Sequence, residues 1–277
     1  ETALCPVCGG DGIMMLSEEP YRWAEAIANR RDYIEDQLRR GSPVVGVGYE
    51  DGVALLTMGQ GQQKLFEVYD RIALGSIGHS TDIENLRNAA IEMAHTLGFN
   101  YSEEDVTLRQ IVHFGLGPAM KAGFDEVVRS PYLARILLTE LDGMDGTGTF
   151  YTVDYDGAFQ KREGWAVLGG FPEADQVMEQ HFSDLEVETL SLQDALSAAL
   201  KAWAAGRWAG AQDTLTSEEG DLEEADFDVA EVLRTEFEIF EVEAAVLEQS
   251  RKGKSKYRAL GAEDLAPVLD PYREKGD

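Results

Sequence analysis

The chain has 277 residues, 44% of them hydrophobic, which suffices for one large domain or two small ones. Its 24 Lys and Arg against 52 Asp and Glu give a formal net charge of −28. A surface this acidic repels phosphate backbones and anionic lipid, which argues against nucleic acid and membrane as partners. No apolar run is long enough to span a bilayer, and no basic-then-apolar secretory signal opens the chain, so a cytoplasmic protein is expected.

The first residues contain the two cysteines, Cys5 and Cys8, in "CPVCGGDG". A CxxC is half of a tetrahedral zinc site, yet no second CxxC or CxxH exists, and the histidines at 79, 95, 113 and 181 are remote. Three readings stay open: a ligand-free terminus, zinc shared between subunits, or a redox pair. Residues 1–18 read as a flexible segment, and nothing requires a cofactor. From 19 to 40 the spacing of Trp23, Ile27, Ile34 and Leu38 predicts an amphipathic helix. Arg39 and Arg40 suit its last turn, and Gly41 ends it.

"PVVGVGY" and "GVALLT" around "EDG" predict a hairpin of strands buried on both faces. "KLFEVY" and "RIALGSIG" predict a second, turning at Asp70. Helices are expected next over 79–97 and from Ser102, which can cap with Asp105; Leu108, Ile111, Val112, Gly115 and Ala119 would form the second helix's buried stripe. Strands return in "LARILLTEL", "GTFYTVDY" and "GWAVLGG", then helices over 172–184 and 191–205. "EEGDLEEADFD", at 218–228, holds seven carboxylates in eleven residues and reads as a solvated loop within an acidic insert at about 206–230. The strand "EFEIFEVEAAVL", a basic turn "RKGKSK", the strand "YRAL" and a helix from about 262 complete the chain. Hairpins interspersed with helix pairs predict an α+β fold: one domain over 19–277, a four-layer αββα sandwich of two antiparallel sheets between helical layers.

The segments "RRGSPVVGVGYEDGVALL", "QQKLFEVYDRIALGSIG", "ENLRNAAIEMAHTLGFNYSEEDVTLRQI" and "FEVEAAVLEQSRKGKSKYRALGAEDLAPVL" resemble, in order, those of the proteasome core-particle α subunit, bacterial (actinobacterial) type. The resemblance covers about Pro20 to Leu269, with gaps at the acidic insert. It implies an Ntn-hydrolase-like fold, a homo-heptameric outer ring stacked on β subunits that carry the threonine-type peptidase, and a gate for unfolded protein substrates. It also implies docking of a hexameric ATPase or other activator. The N-terminal "YDR…DGR" signature of archaeal and eukaryotic α subunits is not found ahead of the first strand, as in bacterial α chains.

The resemblance sets Ser42 at the position of the catalytic threonine and Lys64 at that of the catalytic lysine, with Met58 where an aspartate belongs. The nucleophile's own α-amine is the base in this chemistry, and the nitrogen of Ser42 is an amide while residues 1–41 remain attached. Ser42 is therefore expected to be vestigial; a self-processing hydrolase with Ser42 as nucleophile and Lys64 as helper is the alternative. A third reading is a platform whose CPVCGG holds metal. The resemblance gives Lys64 another role, meeting the terminal carboxylate of an activator tail in a pocket walled by Gly41, Gly78 and His79. It makes Cys5, Cys8, Gly9, Gly10 and Gly12 part of the gate.

Overall fold

The computed structural model describes residues 12–126, 130–141, 148–183, 185–213 and 228–273. The first hairpin is β1 (Val44–Tyr49) and β2 (Gly52–Gly59), the second β3 (Leu65–Tyr69) and β4 (Ile72–Gly78). They do not extend one another. β1 and β2 lie in a sheet with β8 (Trp165–Leu168), β9 (Glu241–Glu248) and β10 (Tyr257–Ala259), ordered β10-β9-β2-β1-β8. β3 and β4 continue through β5 (Ala134–Leu141), β6 (Gly148–Val153) and β7 (Phe159–Glu163) in a second sheet. All described strand pairings are antiparallel.

The two sheets face each other across a core of Val44, Val53 and Leu55 against Ala73, Leu137 and Phe150. Alternate residues of the same strands point outward, which is why β1 and β2 are buried throughout. The outer face of the first sheet packs under α5 (Pro172–Gln180), α6 (Leu192–Asp213), α7 (Val229–Glu236) and α8 (Ala262–Arg273). That of the second packs under α2 (Ser80–Asn100), α3 (Leu108–Ile111) and α4 (Gly117–Asp125). This is the expected αββα sandwich. The sheets approach closely at Gly46, where a Cβ would fall 2.6 Å from the Phe150 ring.

Four expectations need correction. The N-terminal helix, α1, runs Gly12–Arg39, so residues 12–18 are helical: Met and Leu favour helix, and the expected start at residue 19 lies inside it. Trp23 is 56% exposed; Ile34 and Leu38 of its stripe enter the inter-sheet core, and Ile27 packs half-buried against it. Ser102 precedes a single turn over 103–105 and donates its hydroxyl to the Asp105 carboxylate at 2.7 Å without capping a backbone amide; the next helix starts after Thr107, which makes a capping box with Gln110. A π-turn over Val112–Leu116 then advances the buried stripe by one residue, from the expected Gly115 and Ala119 to Leu116 and Met120. The acidic insert is narrower than 206–230, because α6 reaches Asp213 and Asp228 caps α7 by accepting from the Ala230 amide at 2.8 Å.

One buried ionic group joins the layers. Arg135 on β5 is 8% exposed; its guanidinium meets Asp175 of α5 at 2.8 Å and Asp154 at 3.2 Å, and donates to the Gly169 carbonyl at 2.6 Å. Burial pushes the Asp154 carboxyl upward, while Arg135 opposes the rise. Removing one partner leaves a buried charge uncompensated, so Asp175→Ala should cost about 3–5 kcal/mol of stability. Urea unfolding measures it; a midpoint unmoved from the parent's would contradict the buried pair.

Candidate functional site

The site is built where α1 delivers the chain to β1. The Gly41 amide turns back to the Leu38 carbonyl at 2.7 Å, closing the helix. Ser42 comes next, 4% exposed, and its Oγ accepts a hydrogen bond from Trp203 Nε1 at 3.1 Å. Trp203 is itself fully buried on α6. The Pro43 carbonyl accepts from Thr57 Oγ at 2.7 Å. Met58 points away from the inter-sheet space, fully buried in the cluster between the first sheet and its helices. Ser42 thus meets an indole donor, and an apolar thioether stands where the acid would be.

Lys64 lies between β2 and β3. Its Nζ donates to the Met58 carbonyl at 3.1 Å. Glu243 on β9 is the adjacent carboxylate, but it is turned to the backbone: Oε2 accepts from the Lys64 amide at 2.8 Å and Oε1 from the Leu65 amide at 2.9 Å. Burial brings the Lys64 ammonium down to a pKa of about 8, opposed by Glu243 and aided by the like charge of Arg207. Burial likewise pushes Glu243 up.

The other residues expected around Lys64 have structural duties of their own. Gly41 packs on Ile77, where a Cβ would lie 2.1 Å from Cγ2. Gly78 has φ +136, and a Cβ there would meet the Leu133 carbonyl at 2.0 Å. Packing within the chain therefore demands both glycines, whatever binds nearby. His79 caps α2, its Nδ1 accepting from the Thr81 amide at 3.3 Å. It borders a cavity of about 730 Å³ with Tyr33, Asp82, Gly123 and Tyr132. Gly41 borders another, of about 360 Å³, with Arg39, Arg40, Gly170, Gly206 and Arg207. Lys64 is on the wall of neither, so the single chain does not gather the four residues into one cavity. Cys5, Cys8, Gly9 and Gly10 lie outside the described residues, and Gly12 is the first residue of α1. Among the described residues no group of three His, Cys, Asp or Glu is arranged for a metal ion.

Sequence reasoning missed three participants: Trp203, Glu243 and Arg207. Arg207 bridges Glu236 through two bonds at 3.0 and 3.1 Å and donates to the Arg40 carbonyl at 3.4 Å. Trp203, Glu243 and Arg207 lie more than a hundred residues from Ser42, Lys64 and Arg40, the groups they contact here, and no local pattern marks them.

A protein-family model described as "Proteasome subunit" matches residues 38–216. The chain belongs to the proteasome subunit family. It is similar to the "Proteasome subunit alpha" of Acidothermus cellulolyticus, 30% identical over 89% of this chain and 95% of that protein. It is also similar to that of Mycobacteroides abscessus, 29% identical over 91% of this chain and 94% of that protein. A third such relative, from Parafrankia, is 30% identical over 74% of this chain and 84% of its own. The resemblance to actinobacterial α-type members of the family is borne out.

Ser42→Ala should leave the Trp203 N–H buried without an acceptor and cost about 1–3 kcal/mol. Purified parent protein should keep its residues upstream of Ser42 and resist electrophilic peptidase inhibitors. Thermal unfolding and intact mass report the two outcomes; cleavage after Gly41 or a covalent adduct on Ser42 would restore the hydrolase reading.

Proposed function

We propose that this chain is a non-catalytic α-type subunit of a proteasome core particle. Seven copies form an outer ring that gates the entry of unfolded protein to β subunits carrying the peptidase, and that docks an activator such as a hexameric ATPase. The observation carrying the non-catalytic reading is the setting of Ser42. Its hydroxyl is engaged by Trp203, and its nitrogen is an amide as long as α1 precedes it. Abstraction of the hydroxyl proton needs a free base, and Met58 supplies none. The α-type names of the relatives point the same way. Self-processing at Ser42 would detach a helix whose Ile34 and Leu38 are fully buried.

Docking is assigned to Lys64, with Gly41, Gly78 and His79 around the approach and a neighbouring subunit completing the pocket. A terminal carboxylate would give the ammonium a charged acceptor in place of the Met58 carbonyl. Lys64→Ala should leave rings intact and abolish docking, since losing one partner of a desolvated pair costs about 2–5 kcal/mol and several tails engage one ring. Electron microscopy and activator-stimulated protein degradation check this; degradation at the parental rate sinks the pocket.

The lowered pKa adds a pH test. Below about 8 Lys64 is charged; above it the unoccupied site holds a neutral amine, and a carboxylate must draw a proton in to bind. Of the charges facing it, Glu243 favours protonation and Arg207 opposes it. Docking should weaken as pH rises from about 8 towards 10, and Lys64→Arg should remove that dependence, as binding titrations across pH would reveal.

The gate is assigned to residues 1–11, including Cys5, Cys8, Gly9 and Gly10, together with the start of α1 at Gly12. Deleting residues 1–11 should raise activator-independent peptide hydrolysis by the assembled particle. An unchanged basal rate would remove the gating role.

A further inference from the structure

The end of α1 meets α6 at a cavity that collects positive charge. Arg39, Arg40 and Arg207 share its wall, which carries no carboxylate, and its volume is about 360 Å³. In a chain of net charge −28 this convergence calls for a reason. Positive charge at a helix C-terminus complements the dipole, which accounts for Arg39 and Arg40 but leaves Arg207, within α6, unexplained. Glu236, which is not on this wall, holds Nη2 of Arg207 at 3.0 and 3.1 Å. Nη1 makes one long bond, 3.4 Å to the Arg40 carbonyl, and Nε has no acceptor among the described residues. Arg40 is exposed, and its guanidinium has no partner among the described residues. Arg39 is steadied over the Phe171 ring, 5.0 Å from its centroid. Apart from Ala211 the rest of the wall is glycine. One of these, Gly170, is buried, and its amide has no acceptor among the described residues. Buried amides left unpaired are rare in folded proteins.

We propose that this cavity binds a phosphate dianion, either the free ion or the phosphoryl group of a small phosphomonoester. Guanidinium forks match phosphate oxygens in pairs. Three positive charges on one wall suit a ligand with two negative charges better than a carboxylate with one. The acidic surface that turns away long polyanions does not decide matters here. At physiological salt its field is screened within about 8 Å, so the nearest charges dominate, and these are the three arginines and Glu236. The bound ion ties the end of α1 to α6. The assignment does not depend on the activator reading.

The test titrates the full chain, assembled as purified, with inorganic phosphate in a calorimeter at fixed ionic strength and a pH of about 8, where phosphate is a dianion. One saturable site per chain is expected, with a Kd of about 1 mM or tighter. Ribose 5-phosphate, with ribose as its control, separates the two sources. Binding at least as tight as that of phosphate assigns a phosphomonoester, and binding of phosphate alone assigns the free ion. Arg40→Gln alters an exposed side chain and should weaken binding about tenfold or more. Lys252→Gln makes the same change of charge at an exposed site remote in sequence and should leave the affinity as it was. Absence of saturable binding, parental affinity in Arg40→Gln, or equal weakening in both variants overturns the proposal.

Discussion

Ile34 and Leu38 insert from α1 into the space between the two sheets, both essentially inaccessible to solvent. Full burial of two such side chains is worth about 1.5–3 kcal/mol each, and the helix is further tied by Arg30 to the Gly123 carbonyl at 3.1 Å and by Glu35 to the Tyr155 hydroxyl. This attachment has a chemical result just beyond the helix. A chain anchored there passes directly into β1, and Ser42, between the two, accepts its hydrogen bond from Trp203. In the reading proposed above, the hold on the helix and the silence of that hydroxyl have the same origin.

The same neighbourhood shows how a half-buried lysine is held by a carbonyl, the nearby carboxylate being engaged by backbone amides. Lys64 is half-buried and leans on the Met58 carbonyl, while Glu243 spends its two oxygens on the backbone at the entry to β3. The carboxylate holds the strand start in register and lends the ammonium only a distant field. Burial brings this ammonium down to a pKa of about 8.

Most of the architecture was legible in the sequence, because both hairpins carry turn signals and both are apolar on successive residues. The failures have local causes. α1 begins early because Met14, Met15 and Leu16 favour helix as strongly as the residues beyond Pro20. The shift at Leu116 and Met120 comes from a π-turn, which no 3.6-residue periodicity anticipates; Pro118, with no amide hydrogen to give, opens α4. β7 escaped notice because Phe159 to Glu163 has no buried position and hence no alternation. At the site, Ser42, Met58 and Lys64 could be picked out by resemblance. Trp203, Glu243 and Arg207 could not, since what matters is their contact across the fold.

β7 has one more implication. It closes one side of the second sheet with Gln160, Lys161, Arg162 and Glu163, and Lys161 and Arg162 are already tied to Glu163 and Glu179. An unpaired rim so heavily charged is a poor template for another molecule's strand. Copies of this protein are thereby discouraged from polymerising through continuous β-ribbons along that border.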